Sequence, residues 1–323
     1  MKKIVRFFSI LLMLAGAGIC MYPKVAELYG EYSRRAVVKE FVRESSDFLQ
    51  TPFEDNGKKG ESLGSHSTGS DGNNNKNQLE DLYYELKAYN EKIFKENQKD
   101  LKDAFSYQDG CFDLTQYGLT ENIIAVLWIP RLDEELPVYL GATKENMKKG
   151  AVLLGQTSMP LGGENSNCVI AAHRGGGSTP MFRNIQLLQL GDKIELDTLY
   201  EKLIYRVSDV EIILPNQIDK IKITSGEDKI TLITCHPYTK NTHRYLVTAQ
   251  RSKEETQSRK EDKKELTYID EKEISPVPEE VSGDSGITYS RIQITLERYG
   301  TLAGFLILLY VIYELLVKNN LHR

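Results

Sequence analysis

The chain has 323 residues, with 41 Lys and Arg against 46 Asp and Glu, for a formal net charge of −5. That acidic balance argues against a nucleic-acid partner, which draws a basic surplus, and four cysteines are too few for a disulfide-built scaffold. A hydrophobic fraction of 40% can fill a core, but it is unevenly spread, and two stretches are too apolar for water.

Residues 7–22 (FFSILLMLAGAGICMY) are uncharged and follow Lys2, Lys3 and Arg6. Their length is at the short edge of a membrane span, which needs about 20 residues. The run Ala15-Gly16-Ala17 also fits a secretory cleavage site, so segment 1–22 reads as either a signal anchor or a removed signal. A lipid-bearing Cys20 is disfavoured by Ile19, where a small residue would be expected. Residues 24–49 predict a charged, weakly amphipathic helix. Residues 55–77 hold five Gly, five Asn and four Ser, with Leu63 the only large apolar side chain. Burial there cannot offset chain entropy, so a disordered insert is expected, with His66 solvated. Leu79 to Leu101 is predicted helical, because Leu79, Leu82, Tyr83, Leu86, Tyr89, Ile93 and Phe94 recur at spacings of three and four.

From Ile123 to Arg251 the texture changes to short β-branched and aromatic runs broken by Gly, Pro, Asp and Asn. They are IAVLWIP, LPVYL, NCVIAAH, DKIEL, KLIYRV, VEIIL, DKITLITC and RYLVTAQ. A mainly β domain follows. A closed or nearly closed barrel and a sandwich fit this periodicity equally well. Trp128 is expected in the core, and Cys168 alternates into it. Cys111 lies in a connecting segment as a free thiol, with a pairing to Cys168 left open. Residues 251–290 carry 7 basic and 11 acidic side chains, then Pro276 and Pro278, and read as a tether. Residues 299–317 (YGTLAGFLILLYVIYELLV) would make about 28 Å of helix, enough to cross a bilayer core. Its one charge, Glu314, can pair with Lys318 four residues on. The basic flanks hold both termini in the cytoplasm, which leaves the β domain outside.

Three residues stand out by position. Cys235 ends the run ITLITC, His173 ends CVIAAH before Arg174-Gly175-Gly176-Gly177, and Arg244 opens RYLV. Three strand ends could converge on one rim. A thiol of ordinary pKa is only ~3% thiolate at neutral pH, so a neighbouring cation would help it act as a nucleophile. Histidine can pass a proton to a leaving amine and take one from the next nucleophile, and an arginine fork can hold an oxyanion. Spacing alone equally allows a buried structural cysteine. His236 and His243 flank these positions without an assigned role.

The run Thr231-Leu232-Ile233-Thr234-Cys235, followed by His236-Pro237-Tyr238 and then Asn241-Thr242-His243-Arg244, resembles the active-site signature of sortases, most closely the class C, pilin-polymerising group. The blocks IPRLDEELPVYLGAT, GQTSMPLGGENSNCVIAAHRG and LQLGDKIEL agree in order, so the likeness covers roughly residues 83–251. It implies an eight-stranded sortase-type β-barrel over 123–251, preceded by a helical region (23–122). A charged linker (252–298), a C-terminal transmembrane helix (299–317) and a cytoplasmic tail (318–323) would follow. The implied reaction is cleavage of a Leu-Pro-x-Thr-Gly-like sorting signal through a thioacyl intermediate on Cys235. His173 would be general acid and base, and Arg244 the oxyanion donor. A lysine amine of the next pilin subunit would resolve the thioester, and no metal or organic cofactor is expected. The alternatives are a sortase that anchors surface proteins to peptidoglycan and a non-catalytic barrel that binds surface proteins. The implied setting is the membrane of a Gram-positive-type bacterium, with two spans, an extracellular barrel and a monomeric enzyme.

Class C sortases commonly carry a lid before the barrel, an Asp-Pro followed by an aromatic. Here Asp103-Ala104-Phe105 keeps the acid and the aromatic and lacks the proline. Thr51-Pro52-Phe53 is the rival lid segment. The alternative for Asp103 and Phe105 is a plain helix terminus.

Overall fold

The computed structural model describes residues 2–49, 71–175, 180–238 and 240–252, together with Gly304, Leu306 and Tyr310. The Pro52–Phe53 segment, His66 and the tether beyond Ser252 lie outside the described residues, as does all but three residues of segment 299–317.

Eight strands close into a barrel. They are β1 (Ile123–Ile129), β2 (Glu134–Leu140), β3 (Ala151–Leu153), β4 (Ser166–Ala171), β5 (Lys193–Thr198), β6 (Lys202–Ile213), β7 (Asp228–His236) and β8 (His243–Arg251). Their order around the barrel is β1-β2-β3-β4-β7-β8-β6-β5, which removes the sandwich alternative. Neighbours are antiparallel except β2 with β3 and β4 with β7.

The strands are not the eight that the sequence suggests. KLIYRV and VEIIL form one long strand, β6, in which exposed Ser208 and Asp209 mark a register shift against β8 rather than a turn. A β-bulge lets one strand bend there without ending. The missing member is β3, only three residues long, whose burial is complete and which therefore shows no alternation. It is reached through α3 (Lys144–Lys149), capped by the Thr143 hydroxyl accepting from Asn146 N–H at 3.1 Å. Gly150 then passes the Pro137 carbonyl so closely that a Cβ would lie 2.7 Å from its oxygen.

Two N-terminal helices pack on the barrel. α1 (Lys2–Leu49) bends by 43° between Tyr22 and Lys24, at a proline, which has no N–H to give the helix. Val38 and Phe41 are buried, and Arg34 donates to Glu134 on β2 at 2.9 Å. No single helix among the described residues is long and apolar enough to cross a membrane; the two limbs of α1 pass that test only together. Gly304 reaches the N-terminal limb of α1, where a Cβ on it would lie 3.2 Å from the Ala17 carbonyl oxygen.

α2 (Asp71–Lys95) begins inside the low-complexity stretch expected to be disordered. Once the stripe downstream has nucleated a helix, each added residue brings one hydrogen bond, so extension is far cheaper than initiation. Leu79, Leu82, Leu86 and Ile93 are buried as the spacing requires, whereas Phe94 is 37% exposed because it lies a sixth of a turn or more off that stripe. The helix also ends earlier than predicted. Asn97 and Gln98 adopt positive φ, and the buried Gln98 side chain donates to the Gln156 carbonyl at 2.7 Å and accepts from Ile223 N–H at 2.7 Å. This clasp fixes the chain where it leaves α2 for residues 101–106.

Candidate active site

Register brings the strand-end residues together. β7 and β8 pair antiparallel with Cys235 directly opposite Arg244, so the two side chains share a face. β4 runs parallel to β7 with Ala171 beside Ile233. Ala172 N–H continues that ladder to the Ile233 carbonyl at 3.2 Å, and Thr234 Oγ1 donates to the Ala172 carbonyl at 2.7 Å. Two residues beyond Ala171, His173 therefore stands next to Cys235 and on its face.

A turn from the helical region covers this face. Asp103 caps a short 3-10 helix, Ala104–Ser106, by accepting from Phe105 N–H at 3.2 Å. Its carboxylate also takes two parallel bonds from Arg244, Nε to Oδ1 at 2.7 Å and Nη2 to Oδ2 at 2.8 Å. Arg244 Nη1 donates to the Asn241 and His243 carbonyls at 3.1 and 2.9 Å, so its donors are nearly all engaged. The Phe105 ring lies 4.9 Å from the Arg244 guanidinium carbon and 6.0 Å from the His173 ring. All five residues singled out in the sequence thus meet at one place. Ala104, where a proline would be expected from the resemblance, is fully buried beneath the turn.

The electrostatics differ from the simple expectation of an activated thiol. Burial pushes Cys235 up to about 11; the Arg244 cation pulls it down, and the Asp103 carboxylate pushes it up again. Burial lowers His173, which favours the neutral ring. For Arg244 burial acts downward, but the Asp103 hydrogen bonds and charge outweigh it and raise the guanidinium. With the turn in place, burial thus favours the uncharged form of both groups, thiol and imidazole.

A second set of residues sits on the opposite face of the same strand ends. Arg174, His236 and Tyr245 each follow one of the three candidates and so alternate to the other side. Arg174 Nη1 meets His236 Nδ1 at 2.6 Å, Nη2 donates to Gln186 Oε1 at 3.2 Å, and the guanidinium carbon lies 5.6 Å from the Tyr245 ring centre. The available sequence signal was adjacency to His173 and Cys235, which says nothing about partners. His243, opposite His236, shares its ring nitrogen Nδ1 with Thr242 Oγ1 at 2.9 Å.

The remaining residues of interest fall elsewhere. All four cysteines are free, with Cys168 buried and Cys111 exposed, so the Cys111–Cys168 pairing is absent. Trp128 is half-buried rather than in the core. It lines a cavity of about 610 Å³ between α1 and the barrel, together with Glu134, Glu135 and Arg34. Among the described residues no group of three or more His, Cys, Asp or Glu side chains is placed to hold a metal ion.

Residues 127–252 match the family model described as the sortase domain. The fold is similar to group B Streptococcus pilus island 1 sortase C2, at 30% identity and a TM-score of 0.50, over 55% of this chain and 98% of that one. It is also similar to sortase C1 of Streptococcus agalactiae in its type II crystal structure, at 32% identity and a TM-score of 0.50, over 57% of this chain and 92% of that one. Among curated relatives, Sortase A of Bacillus anthracis is 31% identical over 127 residues, 39% of this chain. The chain matches only 59% of that relative's length. The chain belongs to the sortase family.

Proposed function

We propose that this protein is a class C-like cysteine transpeptidase that joins a Leu-Pro-x-Thr-Gly-like sorting signal to a lysine amine of a pilin subunit. The observation that carries this reading is the convergence of Cys235, His173 and Arg244 on one sheet face, with Asp103 and Phe105 seated against them.

The chemistry follows from what each group can do. Cys235 Sγ attacks the threonine carbonyl carbon after passing its proton to His173. Arg244 turns from Asp103 to the oxyanion that forms. The Thr–Gly amide bond breaks, and the glycine amine leaves with the proton returned by His173. An incoming lysine amine attacks the thioester, His173 takes its proton, and the new amide releases Cys235. In this reading Asp103 and Phe105 form a lid that must leave before substrate enters. The N-terminal limb of α1 and segment 299–317 are the two membrane anchors, with the barrel on the extracellular side of a Gram-positive-type envelope. The Gly304 approach to Ala17 is the small-residue contact that packs two such helices closely.

Full-length protein in detergent, incubated with a sorting-signal peptide, is expected to give a hydroxylamine-sensitive adduct on Cys235 and none in Cys235→Ala. Adding a lysine-bearing pilin segment should convert the adduct to an isopeptide product. A product formed only with a peptidoglycan amine would favour wall anchoring, and absence of any adduct would leave a binding barrel.

A further inference from the structure

We infer that Tyr107 is the hinge of the covering turn: its backbone is held strained while Asp103 and Phe105 are seated, and relief of that strain biases the turn toward opening. The inference deepens the function proposed above and rests on its reading that residues 103–105 cover the site and leave before substrate enters.

Tyr107 follows the 3-10 helix Ala104–Ser106 with φ 53° and ψ 120°. Residues with a Cβ tolerate positive φ only in a small well near ψ of roughly 30–60°, where Asp133 sits at φ 50° and ψ 42°. Tyr107 lies well outside that well, in backbone space that favours glycine. Its side chain offers nothing in return. It is 47% exposed, and among the described residues it makes no hydrogen bond or ring contact.

The strain arises from ties on either side. Upstream, the Ser106 N–H and hydroxyl both donate to the Asp103 carbonyl, at 3.0 and 2.7 Å, which closes the turn on itself. Asp103 and Phe105 are in turn pinned to Arg244. Downstream, Gln108 N–H donates to the Ala142 carbonyl at 3.1 Å. Just beyond it the chain presses on the barrel so closely that a Cβ on Gly141 would lie 2.4 Å from the Gly110 nitrogen. Tyr107 is the single residue between these two fixed pieces, so it takes whatever dihedrals join them.

A strained backbone persists only where its surroundings over-determine it. Of the two constraints on Tyr107, the Arg244 fork is the one that breaks when the turn leaves. The Gln108 tie does not depend on Arg244 and stays, as does the Gln98 clasp at the other end. The moving segment is therefore bounded by Gln98 and Gln108, and Tyr107 is free to relax to negative φ once the fork is open. A bidentate ion pair alone would hold the site shut; the strained hinge offsets part of it and keeps the cover exchangeable.

The test separates backbone from side chain. Full-length protein in detergent is treated with iodoacetamide at one fixed pH, and Cys235 is followed by site-resolved mass spectrometry. Tyr107→Gly and Tyr107→Ala both remove the ring, but only glycine relieves the backbone. Tyr107→Gly is expected to alkylate ~3- to 30-fold more slowly than Tyr107→Ala, the relief of strain outweighing the added freedom of glycine in the open turn. With Asp103→Ala and Phe105→Ala also present the two should react at the same rate, because the strain is already released. A rate for Tyr107→Gly equal to or above that of Tyr107→Ala overturns the inference. So does a difference that persists undiminished when Asp103 and Phe105 are replaced. If Asp103→Ala with Phe105→Ala itself fails to accelerate alkylation, the covering role falls and the hinge with it; if it accelerates while the two Tyr107 variants match, the hinge alone falls.

Discussion

Asp103 and Arg244, 141 residues apart, face each other through two parallel hydrogen bonds of 2.7 and 2.8 Å. Their side chains are 19% and 8% exposed, so the pair is screened little by solvent. Bidentate, charge-assisted geometry of this kind is directional as well as strong. It ties the arginine beside Cys235 to a segment outside the barrel, and that tie governs the first predictions.

Replacing both Asp103 and Phe105 by alanine removes the fork and the ring stacked under the guanidinium. Hydrogen bonds to a charged group contribute ~1.5–3 kcal/mol and a cation–π contact ~0.5–1 kcal/mol. Together these are ~2–4 kcal/mol, so where the covered state dominates, alkylation of Cys235 should accelerate by roughly 30- to 900-fold. An unchanged rate would make residues 103–105 a helix terminus with no gating part.

Ala104→Pro should act the other way. Position 104 is the first residue of the 3-10 helix, and Asp103 before it is extended at ψ 138°, both compatible with proline. A fitting proline stabilises by ~0.4–1 kcal/mol through the unfolded ensemble, so alkylation should slow by roughly two- to fivefold. Because Ala104 is fully buried, the ring must find room against the core. Faster alkylation would show that it does not.

The pH dependence of the covered thiol has a definite sign. With its pKa pushed up to about 11 by burial and by Asp103, wild-type alkylation should rise ~tenfold per pH unit from neutrality to about pH 9 without a plateau. In the Asp103→Ala, Phe105→Ala variant the midpoint should fall, since losing a carboxylate and gaining water both favour thiolate. The folded pKa lies above the ordinary value of 9.0, so the thiol's contribution to stability is full below that value. It is lost as pH rises toward 11. A plateau near neutral pH in the wild type would contradict this.

Arg244→Lys keeps the charge and loses the fork. Peptide cleavage should drop by ~10²–10³, as for other oxyanion donors. His173→Ala should be comparably severe and should remove one limb of the pH–rate profile. A rate within about threefold of wild type for Arg244→Lys would assign the oxyanion to another donor.

Gln98→Leu tests the clasp that directs the chain into the covering turn. It leaves the Ile223 N–H and the Gln156 carbonyl without their buried partner, at a cost of ~2–4 kcal/mol. Thermal unfolding should shift down, and Cys235 alkylation should quicken as the turn loses its anchor. Unchanged values of both would mean that water replaces the side chain.

The sequence by itself determined the kind of structure and singled out residues that meet on one face of it. Short β-branched runs and strand-tip Cys235, His173 and Arg244 are local signals, and the α2 stripe is read from spacing alone. Tertiary structure decided what local pattern cannot carry. Barrel closure, the bulge that makes β6 one strand, and the three-residue β3 depend on which neighbour supplies hydrogen bonds, and a fully buried strand shows no alternation to read. The contact of Asp103 with Arg244 joins distant segments. The Arg174–His236 pair on the reverse face arises because a sheet sends successive residues to opposite sides, so its partners are fixed only once β4, β7 and β8 lie in register.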